Sequence, residues 1–356
     1  MLGISVGSRQ AAPRTVLAVD AGKSNVRAAV FVSAEPDGPE PEPATGALPV
    51  QAVQAARSVR GVTLAGGPPN LVAPGGVAEV WAVLEEAWRG LAADVTRVDA
   101  VAVGLTGVRG PSPQAAELAR LLRAATGAAH AIVCCDVLTG YLGALGARPG
   151  AVVAAGTGAV ALGVPDDGPY AFVDGWGYLL GDGASSYTLG RRGLTAALRD
   201  ADGRGPATAL AARLAEHYGG PEDAVRAVYG SANPPRDIAA FATDVLGAAE
   251  AGDEVAAALV HRTVTELAEL AAAALRRERG AGPVPVSWHG SLFLADELVL
   301  RPFLAELAER VPDAVPVPPA GDGLDGARTL AAPPPAAAPL LDRLLDHRPD
   351  DPHGDR

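Results

Sequence analysis

Two short apolar runs near the start of the chain predict a β-hairpin. Residues 16–20 and 26–32 are rich in valine and alanine, and the polar segment Ala-Gly-Lys-Ser-Asn separates them. β-branched runs of this length, joined by a short segment that contains glycine, are typical of paired strands. The first strand therefore ends in a carboxylate, Asp20, that stands beside a glycine turn.

Strand and helix patterns then alternate as far as residue 145. Apolar runs predict buried strands, and apolar residues at helical spacing predict helices. The strands are 98–105 and 130–135, and the helices are 78–92, 112–127 and 136–145. This alternation favours an α/β fold with a substantially parallel sheet and helices on its faces. The segment 33–49 is rich in proline, glutamate and glycine, which predicts a loop too polar to pack.

A second apolar hairpin at 151–164 restarts the pattern and turns on Gly156, Thr157 and Gly158. After Trp176 the chain becomes mostly helical, which predicts a helical cap on a second lobe. The expected helices are 186–198, 207–217, 237–251 and 254–279, followed by a strand at 284–288 and a helix ending near 310.

The pattern divides the chain into two lobes and a tail. The N-terminal lobe is expected at 14–146 and the C-terminal lobe, with its helical cap, at 147–330. Residues 331–356 are rich in proline, alanine and aspartate, so we expect a disordered tail with one short helix at 340–345.

Composition and charge limit the partners and the compartment. The formal net charge is −12, and a nucleic acid or an anionic membrane would attract a positive protein, so we expect neither as a partner. No apolar stretch reaches the roughly 18 residues of a membrane helix. Residues 1–14 lack a secretory leader pattern, and Cys134 and Cys135 are adjacent, so we expect reducing cytoplasm. The dispersed histidines predict no zinc site.

Two familiar nucleotide motifs are only partly matched. Gly22-Lys23-Ser24 ends like a phosphate-binding P-loop, but Leu17 stands where that motif requires glycine, and a strand rather than a helix follows. Gly156-Thr157-Gly158 begins like a dinucleotide fingerprint, but Ala161 replaces the third glycine and a strand follows again. Both interpretations are rejected.

The two glycine turns still suit a polyphosphate. Glycine lets backbone N–H groups approach an anion, and the hydroxyl groups of Ser24 and Thr157 add donors. Lys23, the single lysine of the chain, lies in the first turn and is expected within reach of nucleotide phosphate. Asp20 is placed to hold Mg²⁺ through water. The alternative is a pair of ordinary tight turns.

Asp136 follows a buried strand and begins a helix. It is either a helix N-cap or a general base that accepts the proton of a hydroxyl nucleophile. A second cluster of aromatic, glycine and carboxylate residues spans 175–185, a mixture that suits a sugar. The alternative for Trp176 is a place in the core.

A series of motifs in order resembles the BadF/BadG/BcrA/BcrD-type ATPase family, which includes N-acetylglucosamine kinase. The motifs are Val19-Asp20-Ala21-Gly22-Lys23-Ser24, Gly104-Leu105-Thr106-Gly107, Asp136, Ala155-Gly156-Thr157-Gly158, Gly175-Trp176-Gly177, Gly181-Asp182 and Gly290-Ser291. The resemblance covers residues 15–327. It implies the two-lobed actin-like ATPase fold, related to ribonuclease H, with ATP and Mg²⁺ in the cleft between the lobes.

The resemblance also implies roles for single residues. Ser24 and Thr157 would contact ATP phosphates, and Asp136 would be the base on the sugar 6-hydroxyl. The sugar site would be lined by Asn70, Thr106, Gly175, Trp176, Gly177 and Asp182. Ala239, Gly290 and Ser291 would flank the adenosine.

Four departures from the family pattern stand out, and one of them is an expected loop at 33–69 that is enlarged with proline and acid. Family members usually carry Gly-Asp-Glu-Gly-Ser where this chain has Gly-Asp-Gly-Ala-Ser at 181–185, so Gly183 removes a carboxylate beside the expected sugar site. Lys23 occupies a turn position that is more often small, and His289 stands where glycine is usual.

Three functions fit this resemblance. The first is an ATP-dependent kinase that converts N-acetylglucosamine, or another amino sugar, to its 6-phosphate. The second is a non-catalytic sugar or nucleotide sensor, and the third is a dehydratase-activating ATPase, which would need cysteines at a subunit interface for an iron–sulfur cluster. A second copy of the chain, in a homodimer, is a further possible partner.

Overall fold

The computed structural model divides the chain into two compact units, and each contains one five-stranded sheet. The structure describes residues 15–33, 56–68, 71–93, 95, 97–275, 282–334 and 337–346. Within these ranges, the first unit comprises the residues up to 149, then 164–170, then 318 onward. The second unit comprises 150–163 and 171–317.

Runs of consecutive strands and runs of helices follow one another along the described residues. Up to residue 164 they are β1 (Thr15–Ala21), β2 (Asn25–Ser33), β3 (Ala56–Ala65), α1 (Gly76–Ala92), β4 (Ala100–Leu105), α2 (Pro113–Thr126), β5 (His130–Cys135), α3 (Asp136–Leu145), β6 (Gly150–Ala155) and β7 (Ala159–Val164). From residue 171 they are β8 (Ala171–Asp174), α4 (Ser186–Ala201), α5 (Ala209–Tyr218), α6 (Pro221–Gly230), α7 (Pro234–Ala240), α8 (Ala242–Glu250), α9 (Glu254–Leu275), β9 (Val284–His289), α10 (Arg301–Arg310), β10 (Ala314–Pro316), α11 (Gly323–Ala331) and α12 (Ala338–Asp346).

The first sheet has the strand order β3-β2-β1-β4-β5. β1 runs antiparallel to β2 and parallel to β4, which confirms the opening hairpin. The sheet is mixed rather than substantially parallel, because β2 also pairs antiparallel with β3. β3 lies inside the segment expected as a loop, so that expectation was wrong. An edge strand can be held by backbone hydrogen bonds to one neighbour without a long apolar run of its own.

The two faces of β1 have different neighbours. Leu17, Val19 and Ala21 belong to the core formed with α1 and α2. Successive side chains of a strand point to opposite faces, so Asp20 lies on the other face, where α11 packs against β1. This alternation puts one carboxylate near the end of a strand that is otherwise apolar from Val16 onward.

The second sheet has the order β10-β9-β6-β7-β8, and a layer of helices buries one large core against it. β6 and β7 are neighbours joined by the turn 156–158, as the sequence predicts. The single helix expected at 237–251 is two helices, α7 and α8, that meet at Phe241. α6 was not predicted, and a 3-10 turn and a π-helical turn precede α10.

The C-terminal helices α11 and α12 belong to the first unit. The sequence division assigned residues 318–330 to the C-terminal lobe, and the structure groups them with the N-terminal one. α12 covers the short helix predicted at 340–345, and Arg343 on it donates to the backbone carbonyl groups of Pro165 and Asp166 at 2.7 Å each. Among the described residues, no helix has both the length and the apolarity needed to span a bilayer.

Candidate functional site

Three of the predicted residues lie at one edge of the first sheet. β1, β4 and β5 are parallel, and their register pairs Asp20 with Gly104 and Gly104 with Cys134. The carboxyl ends of these strands therefore lie together, where open α/β sheets bind ligands. Asp136 directly follows β5, and the Thr106 N–H donates to the Ala21 carbonyl at 2.9 Å.

The first glycine turn, residues 22–24, connects β1 and β2 at the same edge. A second backbone segment supports it, because the Gly66 N–H donates to the Ser24 carbonyl at 3.1 Å. A Cβ atom on Gly67 would lie 2.3 Å from the Lys23 carbonyl oxygen, so only glycine fits there. The sequence analysis missed this support, although two adjacent glycines after an apolar run were a visible signal.

Asp136 is the first residue of α3 rather than its N-cap, because Cys135 occupies the cap position and makes no side-chain cap bond. The pKa of the Asp136 carboxyl is raised, first by burial and then by the negative charge of Asp20. A hydrogen bond from the Cys135 thiol and the positive charge of Lys23 oppose that rise. The side chain thus combines a raised basicity with nearby charges of both signs.

Asp20 has a partner that the sequence analysis missed. Arg27 is its direct neighbour across the antiparallel pair, and Arg27 Nη2 donates to Asp20 Oδ2 at 2.5 Å. The other guanidinium nitrogen, Nη1, donates to Asp322 Oδ2 at 2.5 Å. A charged residue within the apolar run of β2 was the signal in the sequence.

In the second unit, the turn 156–158 contacts the Gly290–Ser291 motif. Gly290 has φ 111°, and a Cβ atom there would lie 2.2 Å from the Ala155 carbonyl oxygen. A Cβ atom on Gly156 would lie 3.9 Å from Ser291 Oγ. The structure therefore brings together the expected phosphate turn and the expected adenosine motif within one unit.

Asp174 organises the loop that follows β8. Its Oδ1 accepts the Asp182 N–H at 2.9 Å, and its Oδ2 accepts the Gly183 N–H at 3.1 Å. In the described part of the chain, Asp174 and Asp182 are the two residues other than glycine with positive φ, at 59° and 56°. Backbone of this kind costs free energy and is concentrated at ligand sites. The sequence analysis did not identify Asp174.

Asp182 is buried, and its carbonyl oxygen accepts hydrogen bonds from two hydroxyl groups. Ser185 Oγ donates at 2.6 Å and Thr188 Oγ1 at 2.8 Å. The adjacent Ser186 N–H donates to the Gly156 carbonyl at 2.8 Å, so the start of α4 joins this loop to the second phosphate turn. Gly175 and Gly177 lie in the same loop with φ of 68° and 87°.

Trp176 is 63% exposed, so the alternative of a core residue was wrong. Its neighbours Tyr178, Leu179 and Leu180 are exposed as well, at 41%, 78% and 87%. Tyr178 packs edge-on against Tyr187, with ring centroids 5.2 Å apart. The loop thus presents an aromatic surface beside a rigid glycine-rich backbone.

Gly183, where a carboxylate is usual, lies beside a carboxylate from another helix. A Cβ atom on Gly183 would lie 3.7 Å from Glu266 Oε2. Glu266, on α9, is held by the Arg192 guanidinium through two bonds of 2.9 and 2.8 Å. The side chain that is absent at Gly183 would lie beside the Glu266 carboxylate, which is already paired with Arg192.

The remaining predicted residues lie elsewhere. Ala239 is on α7, where it packs against the core of the second unit. Asn70 lies outside the described residues. No group of three or more His, Cys, Asp or Glu side chains that could hold a metal ion occurs in the described ranges.

Sequence comparison identifies a family. The model of the BadF/BadG/BcrA/BcrD ATPase family matches residues 52–331. An N-acetylmuramic acid/N-acetylglucosamine kinase of Clostridium acetobutylicum is 31% identical over 142 residues, which are 38% of this chain and 45% of that protein. The aligned region thus spans less than half of the length of that relative.

Structural comparison identifies the fold. A candidate N-acetylglucosamine kinase from Chromobacterium violaceum superposes with a TM-score of 0.63 at 27% identity, over 92% of this chain and 99% of that one. A ROK family glucokinase from Streptomyces griseus, solved with glucose and AMPPNP, gives 0.54 at 17% identity over 89% and 99%. The chain has the α/β actin-like ATPase fold, as its motif series implied.

Proposed function

Because the chain belongs to the BadF/BadG/BcrA/BcrD ATPase family, we propose that it is an ATP-dependent carbohydrate kinase whose acceptor is an amino sugar. N-acetylglucosamine, converted to its 6-phosphate, is the first candidate substrate. The names of two similar proteins support an acetylated amino sugar as the acceptor. The observation that carries the proposal is the environment of the Asp136 carboxylate.

Asp136 accepts the proton of the attacking sugar hydroxyl. A carboxylate with an ordinary pKa of about 4 is a weak base at neutral pH. Burial, together with the charge of Asp20, raises the Asp136 pKa and brings its basicity closer to what proton transfer at neutral pH requires. The positive charge of Lys23 opposes the rise and favours the ionised form. The Asp136 carboxyl group is thus more basic than an ordinary carboxyl group and lies near a positive charge that favours its ionised form.

The residues at the edge of the first sheet fit a magnesium ion that accompanies ATP. When bound, Mg²⁺ supplies positive charge to the phosphoryl group that is transferred. Mg²⁺ usually takes one or two carboxylates and keeps phosphate oxygens and waters as its other ligands. Asp20 offers such a carboxylate, with Oδ2 engaged by Arg27, so Oδ1 is the oxygen for a water-mediated contact.

Each of the two glycine turns offers groups that suit an ATP phosphate. Ser24 is exposed in the first turn and supplies a hydroxyl donor, and Lys23 supplies the single ammonium group of the chain. Thr157 has the corresponding place in the second turn, beside Gly290 and Ser291 on the adenosine side. Backbone N–H groups at such turns form an anion-binding concavity without a large net positive charge.

The loop from Asp174 to Asp182 binds the sugar. The exposed Trp176 ring covers the apolar face of the pyranose, and the glycine-rich backbone offers N–H and carbonyl groups to its hydroxyls. Asp174 fixes the shape of this loop before the sugar arrives, which lowers the entropic cost of binding.

A coupled assay of ADP release tests this function. The purified full-length chain is given ATP and Mg²⁺ with N-acetylglucosamine, glucosamine, N-acetylmannosamine, N-acetylmuramic acid or glucose in separate reactions. We expect ADP release that depends on an amino sugar and is lost in Asp136→Asn. Calorimetry of sugar binding accompanies each reaction.

If calorimetry shows that a sugar binds but the sugar does not stimulate ADP release, the kinase function is contradicted. The non-catalytic sensor is then the function that fits. The dehydratase-activating role has no support in the described residues, because Cys134 and Cys135 are both buried next to each other in β5. A thiolate ligand for an iron–sulfur cluster must be accessible to the cluster.

A further inference from the structure

The Arg27 guanidinium connects two carboxylates that are far apart in sequence. It bonds Asp20 Oδ2 through one terminal nitrogen and Asp322 Oδ2 through the other. Asp20 is the next-to-last residue of β1, and Asp322 precedes α11 in the C-terminal segment that returns to the first unit. The side chain at the expected metal position is therefore held by a residue whose orientation depends on the C-terminal segment.

The start of α11 also lies close to Asp20. A Cβ atom on Gly323 would lie 2.8 Å from Asp20 Oδ1, 2.9 Å from its Cγ and 3.0 Å from its Oδ2. These near-equal distances place that Cβ position over the flat face of the carboxylate, so the absence of a side chain at Gly323 leaves room for Asp20. Any side chain at position 323 would displace Asp20, because real Cβ atoms do not approach other atoms so closely.

Asp322 is itself fixed at the N-terminus of α11. Its Oδ1 accepts the backbone N–H groups of Leu324 at 2.9 Å and Asp325 at 3.3 Å, and the Asp325 carboxylate accepts the Asp322 N–H. This is a capping box with Asp at both positions. One oxygen of Asp322 thus caps the helix while the other binds Arg27.

We propose that Arg27, Asp322 and Gly323 form a clamp that positions the Asp20 carboxylate for the divalent cation that accompanies ATP. Arg27 fixes one oxygen of Asp20, and Gly323, which has no side chain, leaves the space that the carboxylate occupies. This inference rests on the proposed function, because it takes Asp20 as the carboxylate beside the cation. None of the three clamp residues touches substrate, so each is a positioning residue.

Asp322 also sets the charge of the clamp. Arg27 paired with Asp20 alone would be a neutral pair, with little attraction left for a cation. Asp322 adds a second carboxylate to the same guanidinium, so the three side chains carry one net negative charge. Asp322 also prevents the guanidinium from turning both of its terminal nitrogens toward Asp20, as Arg does in two-bond pairs with carboxylates.

Two substitutions disturb the clamp without weakening helix α11. Asp322→Asn keeps a side-chain oxygen at the N-cap, where Asn and Asp are equally favourable, and removes the charge that holds Arg27. Gly323→Ala raises helix propensity, so it does not weaken the helix, yet its methyl group pushes against Asp20. Asp325→Asn is the matched control, since Asp325 belongs to the same capping box and its side chain bonds the Asp322 N–H.

Binding of Mn²⁺ in the presence of a non-hydrolysable ATP analogue, followed by electron paramagnetic resonance, gives a readout that is independent of turnover. We expect Asp322→Asn and Gly323→Ala to raise the Mn²⁺ Kd about tenfold, or about 1.4 kcal/mol, while both variants remain folded at the assay temperature. Asp325→Asn should keep the wild-type Kd. In turnover, the Mg²⁺ concentration for half-maximal rate should rise while the sugar KM stays constant.

The outcomes distinguish the clamp from the proposed function. Wild-type Mn²⁺ affinity in both folded clamp variants overturns the clamp, and so does an equal loss of affinity in the Asp325→Asn control. If the wild-type chain binds Mn²⁺ with the analogue but phosphorylates no sugar, the proposed kinase function is wrong. The clamp is still supported in that case if the variants lose Mn²⁺ affinity. A wild-type chain that binds no Mn²⁺ with the analogue overturns the clamp.

Discussion

The Cys135 thiol contacts the carboxylate of the residue that follows it, with Cys135 Sγ 3.5 Å from Asp136 Oδ1. Burial raises the pKa of this thiol well above its ordinary value, and the negative charge of Asp136 raises it further. The group therefore stays protonated and donates to the carboxylate. The expected base of the reaction thus carries a hydrogen bond that lowers its pKa.

Substitution of Cys135 should move the pH profile of the reaction. Cys135→Ala removes the donor, so the Asp136 pKa should rise and the acid limb of kcat/KM should shift to higher pH. Cys135→Ser supplies a stronger donor, so the limb should shift to lower pH. The measurement is kcat/KM against pH for the wild type and both variants.

Cys134→Ala is the matched control for that experiment. Cys134 is equally buried in β5, but its thiol donates to the Cys135 carbonyl rather than to Asp136, with the sulfur 3.6 Å from that oxygen. The acid limb of the kcat/KM profile of Cys134→Ala should coincide with that of the wild type. Shifts of the Ala and Ser variants in the same direction would contradict a hydrogen bond to the base.

Asp136→Asn should abolish phosphoryl transfer while ATP still binds. The amide cannot accept the hydroxyl proton, so we expect kcat to fall by about 10² or more. Calorimetry with an ATP analogue should give a Kd close to the wild-type value, since the lost group is a base and not a phosphate ligand. Wild-type turnover in this variant would exclude Asp136 as the base.

The same variant should be more stable than the wild type at neutral pH. The folded pKa of Asp136 is raised, so its ionisation destabilises the folded state progressively as pH rises from the ordinary carboxyl pKa through the folded one. Asn carries no such cost. The difference in melting temperature should therefore shrink as pH falls toward the ordinary pKa, and an equal difference at all pH values would exclude the buried charge as its cause.

The elements that position Asp20 and Asp136 could be predicted from local pattern. An apolar run before each carboxylate and a glycine turn or helix after it are encoded within a few residues. β3 and α11 could not be predicted in this way. β3 is an edge strand, and α11 depends on long-range packing against α3 and β1.

The partners of the predicted residues were also hidden in the sequence. Arg27 and Asp322 are 295 positions apart, and only the fold brings them together. Asp174 was not identified from the sequence, because its hydrogen bonds to the N–H groups of residues 182 and 183 form only when the loop folds. Side chains that bind each other across distant segments have no fixed spacing that a pattern can detect.

Lys23→Ala should weaken ATP binding and change the pH profile. Loss of a charge-assisted contact with phosphate should raise the ATP KM roughly tenfold to a hundredfold. Because the positive charge of Lys23 lowers the Asp136 pKa, its removal should also shift the acid limb to higher pH. Lys23→Arg keeps the charge, so it should leave the limb in place. An unchanged ATP KM in Lys23→Ala would contradict contact with phosphate.

Trp176→Ala should weaken sugar binding with little effect on stability. The ring is 63% exposed, so its removal leaves no large cavity. Loss of a ring that covers a pyranose face should raise the sugar KM about tenfold, or about 1.4 kcal/mol. Leu180→Ala, at a side chain that is 87% exposed in the same loop, is the control and should keep the wild-type KM. Equal effects of the two substitutions would exclude stacking as the cause.

Gly181→Ala and Gly183→Ala should differ sharply, although the two glycines are two residues apart. A Cβ atom at 181 would lie 2.2 Å from Asp174 Oδ1 and 2.9 Å from the Trp176 Cβ, whereas at 183 the nearest atom would be Glu266 Oε2 at an ordinary 3.7 Å. Asp174 cannot turn away without releasing its bonds to the Asp182 and Gly183 N–H groups.

We therefore expect Gly181→Ala to lower the free energy of unfolding by about 1–3 kcal/mol and to raise the sugar KM, because the loop loses the shape that Asp174 gives it. Gly183→Ala should stay within about 0.5 kcal/mol of the wild type. Urea unfolding followed by tryptophan fluorescence measures the stability, and the coupled assay measures the KM. If Gly181→Ala loses stability but keeps the sugar KM, the loop is a structural element and the sugar binds elsewhere. If both variants match the wild type, the close approach of Gly181 to Asp174 does not constrain the loop.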